Sequence, residues 1–284
     1  MDIGTMHDEV YMRRIMLRIA YDGTDYVGWQ KQENGTAVEE VLNKGLCELT
    51  GEEIAVIGAS RTDSGVHALG NVAVFDTESR IPAEKFCLAV NKYLPDDIVV
   101  QSSCEVSPDF HPRYAQCRKT YEYTIYNAAI PNPMLGRYSY FVHWPLSLDL
   151  MNEAASYLVG EHDFAGFCSA GAQVKTTVRE IFTAECVEIK EDLSIPRVDD
   201  SNLLTALHPE RKAYTDGNRK IVIRLTGNGF LYNMVRIIAG TLVQIGQGMY
   251  PPSKMKEIIE SCDRREAGPT APPQGLVLKE IVYF

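Results

Sequence analysis

Residues 59–68 read Ala-Ser-Arg-Thr-Asp-Ser-Gly-Val-His-Ala and lie between two short apolar runs. These runs, at 54–58 and 72–75, are bounded by Gly and polar residues, so each predicts a short strand. A hairpin that only reversed the chain would need fewer connecting residues. This connection instead carries Arg61 and Asp63 in its middle. Functional side chains concentrate on loops that a rigid scaffold positions, so the segment is a candidate site. The plainer alternative is a surface ion pair that only shapes the loop.

The composition indicates an ordinary globular protein. The chain has 284 residues, 45% of them hydrophobic and 23% charged, which predicts one large domain or two of moderate size. The net charge of −10 argues against a general nucleic-acid binder, because such proteins carry a basic footprint. No run reaches the length of a membrane span, and residues 1–9 lack the apolar core of a signal peptide. The seven cysteines are scattered, without metal-ligand spacing. We therefore expect a cytoplasmic protein with reduced thiols and no structural zinc.

The order of the predicted elements favours an α+β fold. Strands are predicted at 14–20, 54–58, 72–75, 98–100, 117–126, 179–189, 220–226 and 276–283, and helices at 38–49, 82–94, 150–159 and 230–245, with a short one after 252. A β-α-β-β-α-β order occurs twice, which predicts two ferredoxin-like halves, 1–113 and 114–284, with joined antiparallel sheets and a central cleft. Thr36 and Glu39 are expected to cap the first helix. The polar segment 191–217 lacks periodicity, so it is expected to be an insertion.

The loop resembles a motif of the TruA family of tRNA pseudouridine synthases. Residues 61–68 fit the family's R-T-D-[AS]-G-V-H-A pattern without a gap. Further segments resemble family motifs in the same order along the chain: 21–30, 110–115, 160–167 and the Met-Val-Arg of 234–236. The resemblance extends from Arg14 to Phe284, except for the expected insertion.

The resemblance implies a role for each of four residues. Asp63 is the catalytic aspartate, Tyr121 stacks on the uracil and relays the C5 proton, and Arg236 pairs with Asp63. Arg61 binds the substrate, either through a phosphate or by wedging under the flipped base. The residues themselves add one argument, because Arg236 is the lone charge in an apolar helix and a buried Arg needs a carboxylate partner. The plainer alternatives are that Tyr121 packs across strands and that Arg236 extends to the surface.

The resemblance also implies a reaction and a substrate. Pseudouridine formation breaks the N1–C1′ bond of a uridine and rejoins the base through C5, without a metal, a cofactor or a small-molecule co-substrate. The family acts as a homodimer on the anticodon arm of tRNA, at uridines 38, 39 and 40. To bind tRNA, a chain of this charge needs a local basic groove. We expect that groove to contain four arginines: Arg61, Arg113, Arg118 and Arg137.

Two other classes of function remain open from the residues. A non-catalytic RNA-binding module would keep the basic and aromatic residues and would not need Asp63. An aspartate-nucleophile hydrolase is suggested by Asp-Gly-Thr at 22–24, but its nucleophile position holds Ala20. The aromatic residues of the 21–30 motif either stack on bases or pack the loop onto the core: Tyr21, Tyr26 and Trp29.

Overall fold

The computed structural model describes residues 12–171, 174–189 and 218–284, and within them it forms a ten-stranded, mostly antiparallel sheet with helices. The strands are β1 (Arg13–Tyr21), β2 (Ile57–Gly58), β3 (His67–Thr77), β4 (Ile98–Val106), β5 (Cys117–Asn127), β6 (Tyr140–Val142), β7 (Gly160–Asp163), β8 (Val178–Ile189), β9 (Arg219–Gly227) and β10 (Leu276–Tyr283). The helices are α1 (Val38–Thr50), α2 (Phe86–Val90), α3 (Leu148–Ser156), α4 (Met234–Gly246) and α5 (Lys254–Ser261). The α+β class is confirmed. Residues 1–9, which lack a signal-peptide core, and the expected insertion at 191–217 lie outside the described residues.

The last strand, β10, lies between β3, which follows the Asp63 loop, and β5, which carries Tyr121. The sheet order is β4-β1-β3-β10-β5-β9-β8-β7, with β2 paired to β3 and β6 to β5. Strand β10 runs parallel to β3 and antiparallel to β5. Leu278 is opposite Ala68 on one side and Tyr121 on the other. The end of the Asp63 loop therefore lies one strand away from Tyr121.

Strand β1 has one packed face. Ile15, Leu17 and Ile19 are fully buried, as their alternation predicts. Arg14, which precedes them, and the intervening Met16 and Arg18 are not buried. Fully burying such apolar side chains contributes about 1.5–3 kcal/mol each, so this alternation fixes which face of the strand meets the core.

The helices depart from the sequence pattern at their ends. Helix α1 begins after Ala37, whose backbone N–H donates to the Glu40 carboxylate at 3.2 Å, so the expected capping pair is displaced by one residue. The helix expected over 82–94 is a 3-10 turn followed by the short α2. It ends there because the Asn91 side chain bonds both backbone groups of Val100 and directs the chain into β4. None of the helices in the described ranges is long and apolar enough to span a membrane.

Candidate active site

The loop 59–66 is fixed by hydrogen bonds and packing contacts with the aromatic motif of residues 21–30. The Tyr21 hydroxyl lies 2.7 Å from the Thr62 hydroxyl, and the Trp29 backbone N–H donates to the Thr62 carbonyl at 3.1 Å. The three aromatic side chains are no more than 8% exposed: Tyr21, Tyr26 and Trp29. They therefore pack the loop onto the core and are not free to stack on bases.

Two glycines let this motif lie flush against the loop. Gly28 has φ +112°, and a Cβ there would lie 2.6 Å from the Thr62 carbonyl oxygen. A Cβ on Gly23 would overlap the Val66 carbonyl oxygen, which is backbone and cannot rotate away. Both contacts fall on the segment that carries Asp63, so its position depends on the absence of these side chains.

We expect Gly23→Ala to destabilise the fold by about 1–3 kcal/mol, the usual cost of overpacking. The physical cause is the displacement of backbone at Val66. Thermal unfolding would measure the effect as a lower Tm. Gly136→Ala is the matched control, because a Cβ there has no neighbour closer than 3.7 Å. Equal Tm values for the two variants would contradict the tight contact.

Asp63 and Arg236 meet although 173 positions separate them. The guanidinium Nη1 lies 3.5 Å from the Asp63 carboxylate, and the two side chains are only 15% and 18% exposed. Nη1 also donates to the Asn233 side chain at 2.7 Å, and Nε donates to the Ala271 carbonyl at 2.8 Å. Arg236 is thus fixed behind Asp63 and does not extend to the surface.

The electrostatic environment of Asp63 contains two opposing effects. Burial raises the pKa of its carboxyl, while the charge and the hydrogen bond of Arg236 lower it. Asn233 supports this arrangement with an uncommon backbone conformation, φ 60° in the left-handed region at the start of α4. Burial is the larger effect, so the pKa of the Asp63 carboxyl is raised overall, and Arg236 limits that rise.

Tyr121 faces the same space from strand β5. Its side chain is 8% exposed and its ring meets the Phe230 ring edge-on, with the centroids 5.0 Å apart. Burial raises the pKa of the phenol well above its usual value, the adjacent Ser60 hydroxyl lowers it, and the Asp63 charge raises it. The phenol is therefore neutral at physiological pH, within the electrostatic range of Asp63.

Lys119 joins the same strand face to the base of the loop. Its ammonium donates to the Ala59 carbonyl at 2.9 Å and to the Ser60 hydroxyl at 3.0 Å. Burial lowers the pKa of this ammonium, and the neighbouring charges of Arg113 and Arg179 also lower it. The sequence analysis did not single out Lys119 as a site residue. Its position could have indicated it, because residues two apart on a strand share a face and Lys119 lies two residues before Tyr121.

Asp63, Tyr121 and Arg61 line one groove of about 1040 Å³. Among the described residues, Asp63 is the one carboxylate in its lining. The cationic lining residues are more numerous: Lys31, Arg61, Arg113, Lys119 and Arg179. Arg61 is exposed and forms no hydrogen bond or ion pair with any described residue. The groove is therefore basic in a chain that is acidic overall.

Two of the four arginines expected in this groove lie elsewhere. Arg118 stacks over Phe182 and Phe284, at 5.1 and 5.6 Å from the ring centroids. It points away because neighbours on a strand face opposite sides. Arg137 pairs with Asp22 at 2.9 Å, beside a separate cavity of about 430 Å³. For these two residues the expectation was wrong.

The described residues contain no cluster of three or more His, Cys, Asp or Glu side chains that is suited to hold a metal ion. The groove instead offers a buried carboxylate, a guanidinium behind it, a neutral phenol and a rim of cations. Such a set suits nucleophilic or acid–base chemistry on a polyanionic substrate.

Comparison with known proteins agrees with this geometry. A family model described as tRNA pseudouridine synthase matches residues 18–115 and 154–283. A protein of Ruminiclostridium cellulolyticum named tRNA pseudouridine synthase A is 46% identical over 272 residues, which cover 96% of this chain and all of that protein. Proteins of the same name from Thermoanaerobacter sp. and Brevibacillus brevis are 44% and 42% identical, with the same coverage. The chain therefore belongs to the tRNA pseudouridine synthase family and is an isomerase that modifies tRNA.

Proposed function

We propose that this enzyme converts uridine to pseudouridine at positions 38, 39 and 40 in the anticodon stem-loop of tRNA, with Asp63 as the nucleophile. The observation that carries the proposal is that Asp63 is the one carboxylate among the described lining residues of a basic groove. An ionised aspartate can attack and leave again, because a carboxylate is a weak base and therefore a good leaving group. Arg236 favours the ionised form that such an attack requires.

Tyr121 and Arg61 are proposed to handle the proton transfer and the binding of the nucleotide. The N1–C1′ bond breaks, the C5–C1′ bond forms, and the proton displaced from C5 must leave while N1 gains one. Tyr121 stacks on the uracil and relays the C5 proton, and Arg61 binds a phosphate or wedges under the flipped base. Extrusion is expected because a stacked nucleotide is out of reach of the carboxylate.

The rival classes are less consistent with the site. A non-catalytic RNA-binding module has no use for a carboxylate placed in a basic groove, since it would repel phosphate. The hydrolase alternative would centre on Asp22, but that carboxylate is bound by Arg137 and by the Tyr138 hydroxyl, at 2.9 and 2.8 Å. Asp22 also lines the other cavity and not the basic groove.

The chain is further proposed to form two ferredoxin-like halves, 1–113 and 114–284, within one protomer of a cytoplasmic homodimer. The pairing of β10 with both β3 and β5 supports joined sheets. A second subunit would add basic groups along a tRNA that one acidic chain of net charge −10 covers incompletely.

The proposed function is tested with tRNA that carries tritium at uridine C5. Pseudouridylation releases this label while leaving the RNA chain intact, because it breaks the C5–H bond and no phosphodiester bond. Transcripts with a single uridine at 38, 39 or 40 should release it, and a transcript with none of the three should not. Intact label in every transcript would refute the proposal, and chain cleavage with the label still on the uracil would support a hydrolase.

We expect the affinity for tRNA to fall by roughly 10²-fold between about 50 and 200 mM salt, because about four groove cations release counterions from phosphates. Filter binding across salt concentrations would measure the slope. Arg61→Gln should make the slope of log affinity against log salt shallower by the contribution of about one phosphate contact. The reason is that the Arg61 charge has no other partner among the described residues. Arg118→Gln is the control and should leave the slope unchanged, because Arg118 stacks on two rings outside the groove. A flat titration would contradict the basic groove.

A further inference from the structure

Tyr114 is an aromatic side chain that the proposed chemistry does not use. It lies in the turn between β4 and β5 and is 83% exposed. One face of its ring stacks on the His111 ring, with centroids 4.2 Å apart and planes 26° from parallel. The opposite face is open to solvent, so the ring offers one flat, supported surface.

The turn that carries Tyr114 is fixed from several directions. The Tyr114 backbone N–H donates to the His111 carbonyl at 3.1 Å, and the Tyr283 hydroxyl donates to the Pro112 carbonyl at 2.9 Å. The Phe110 ring packs edge-on against Tyr283, 5.0 Å between centroids. The side chain is therefore presented on ordered backbone, which reduces the entropy lost when a partner binds.

The position of Tyr114 indicates the kind of partner. It lines the same groove as Asp63, and its chain neighbour Arg113 is anchored there by a hydrogen bond from Nε to the Gly58 carbonyl at 2.7 Å. An open aromatic face beside fixed cations matches the pattern of single-stranded RNA sites, where cations follow the phosphates and rings stack on bases. A nucleobase meets both requirements, since it has a π-face attached to a phosphate backbone.

We propose that Tyr114, supported by His111, is a stacking platform for an unpaired nucleobase of the bound tRNA next to the target uridine. This inference rests on the proposed function, because it takes the groove to be the tRNA site. Tyr114 acts in binding and makes no contact with the reacting atoms. Loss of the ring should raise Kd by about 5- to 100-fold, the range measured for base–aromatic stacking, with the rate at saturating RNA retained.

The test uses the full-length protein and anticodon stem-loop RNAs, each with 2-aminopurine at one loop position. Stacking on an aromatic ring quenches this base, so wild type and the ring-retaining Tyr114→Trp should quench at one position. Tyr114→Leu should lose that quenching and bind more weakly. Tyr250→Leu is the control, since Tyr250 is 42% exposed and does not line the groove.

The outcomes separate this inference from the proposed function. If wild type releases tritium but Tyr114→Leu binds and quenches as wild type does, the platform is refuted and the proposed function stands. If wild type neither binds the stem-loop nor releases tritium, both are refuted. Loss of quenching and affinity in Tyr114→Leu, with recovery in Tyr114→Trp and an unchanged Tm, supports the platform.

Discussion

Asp63→Asn is expected to abolish tritium release from tRNA labelled at uridine C5, while the affinity for tRNA stays within a few-fold of wild type. The change removes the proposed nucleophile and keeps the shape of the side chain and the groove cations proposed to bind phosphate. The Tm should stay close to that of wild type at neutral pH, because two effects oppose each other. Arg236 loses its carboxylate partner, which destabilises the fold, although it keeps its hydrogen bonds to Asn233 and Ala271. Burial raises the pKa of Asp63, so above that pKa the carboxylate costs the folded state stability, and Asn removes this cost.

The same assignment predicts a pH dependence. The proposed attack needs ionised Asp63, so kcat/KM should fall as pH drops through the raised pKa of its carboxyl. Arg236→Gln removes the charge that opposes this rise, and the acid limb should move to higher pH. Asp76→Asn is the control for replacing a paired aspartate by asparagine, because Asp76 pairs with Arg14 at 2.7 Å outside the groove. It should leave the pH dependence unchanged. Substantial turnover by Asp63→Asn, free of deamidated enzyme, would refute the nucleophile.

Tyr121→Phe is expected to slow tritium release by on the order of 10²-fold or more, the contribution of a positioned acid–base group. The ring remains, with its edge-on contact to Phe230, so stacking on the uracil and the affinity for tRNA should stay near wild type. Only the hydroxyl is lost. In the proposed relay the neutral phenol passes on its own proton as it receives the one from C5. The adjacent Ser60 hydroxyl can carry that proton only by giving up its own in turn, and the proton that balances the reaction is the one gained at N1.

Tyr123→Phe provides the matched control for this experiment. Tyr123 lies two residues further along the same strand face, and its hydroxyl donates to the Pro272 carbonyl at 2.7 Å. It does not line the groove. Loss of this hydroxyl and its hydrogen bond should therefore lower the free energy of unfolding by about 0.5–1.5 kcal/mol and leave tritium release unchanged. Release at the wild-type rate by Tyr121→Phe would show that this residue only stacks, and the proton acceptor would be another group.

The sequence by itself determined the features that depend on short stretches of chain. The alternation of Ile15, Leu17 and Ile19 predicts the buried face of β1, because side chains on a strand alternate whatever surrounds it. The contiguous motif around Asp63 was sufficient to indicate the family that the comparisons show. The lone charge of Arg236 in an apolar helix predicted that it would need a carboxylate, because an unpaired buried charge is too costly.

Only the tertiary structure decided which side chains share the groove. Arg118 and Lys119 are chain neighbours, yet Lys119 reaches the Asp63 loop and Arg118 stacks outside it. The face of β5 that points into the groove is decided by the pairing of β5 with β10, which also pairs with β3 from a distant part of the chain. Likewise, the aromatic residues near Asp63 pack beneath the loop, while Tyr114 remains open in the groove. Local patterns do not encode these outcomes, since the charge and shape of a groove are summed over residues that meet only when the sheet has formed.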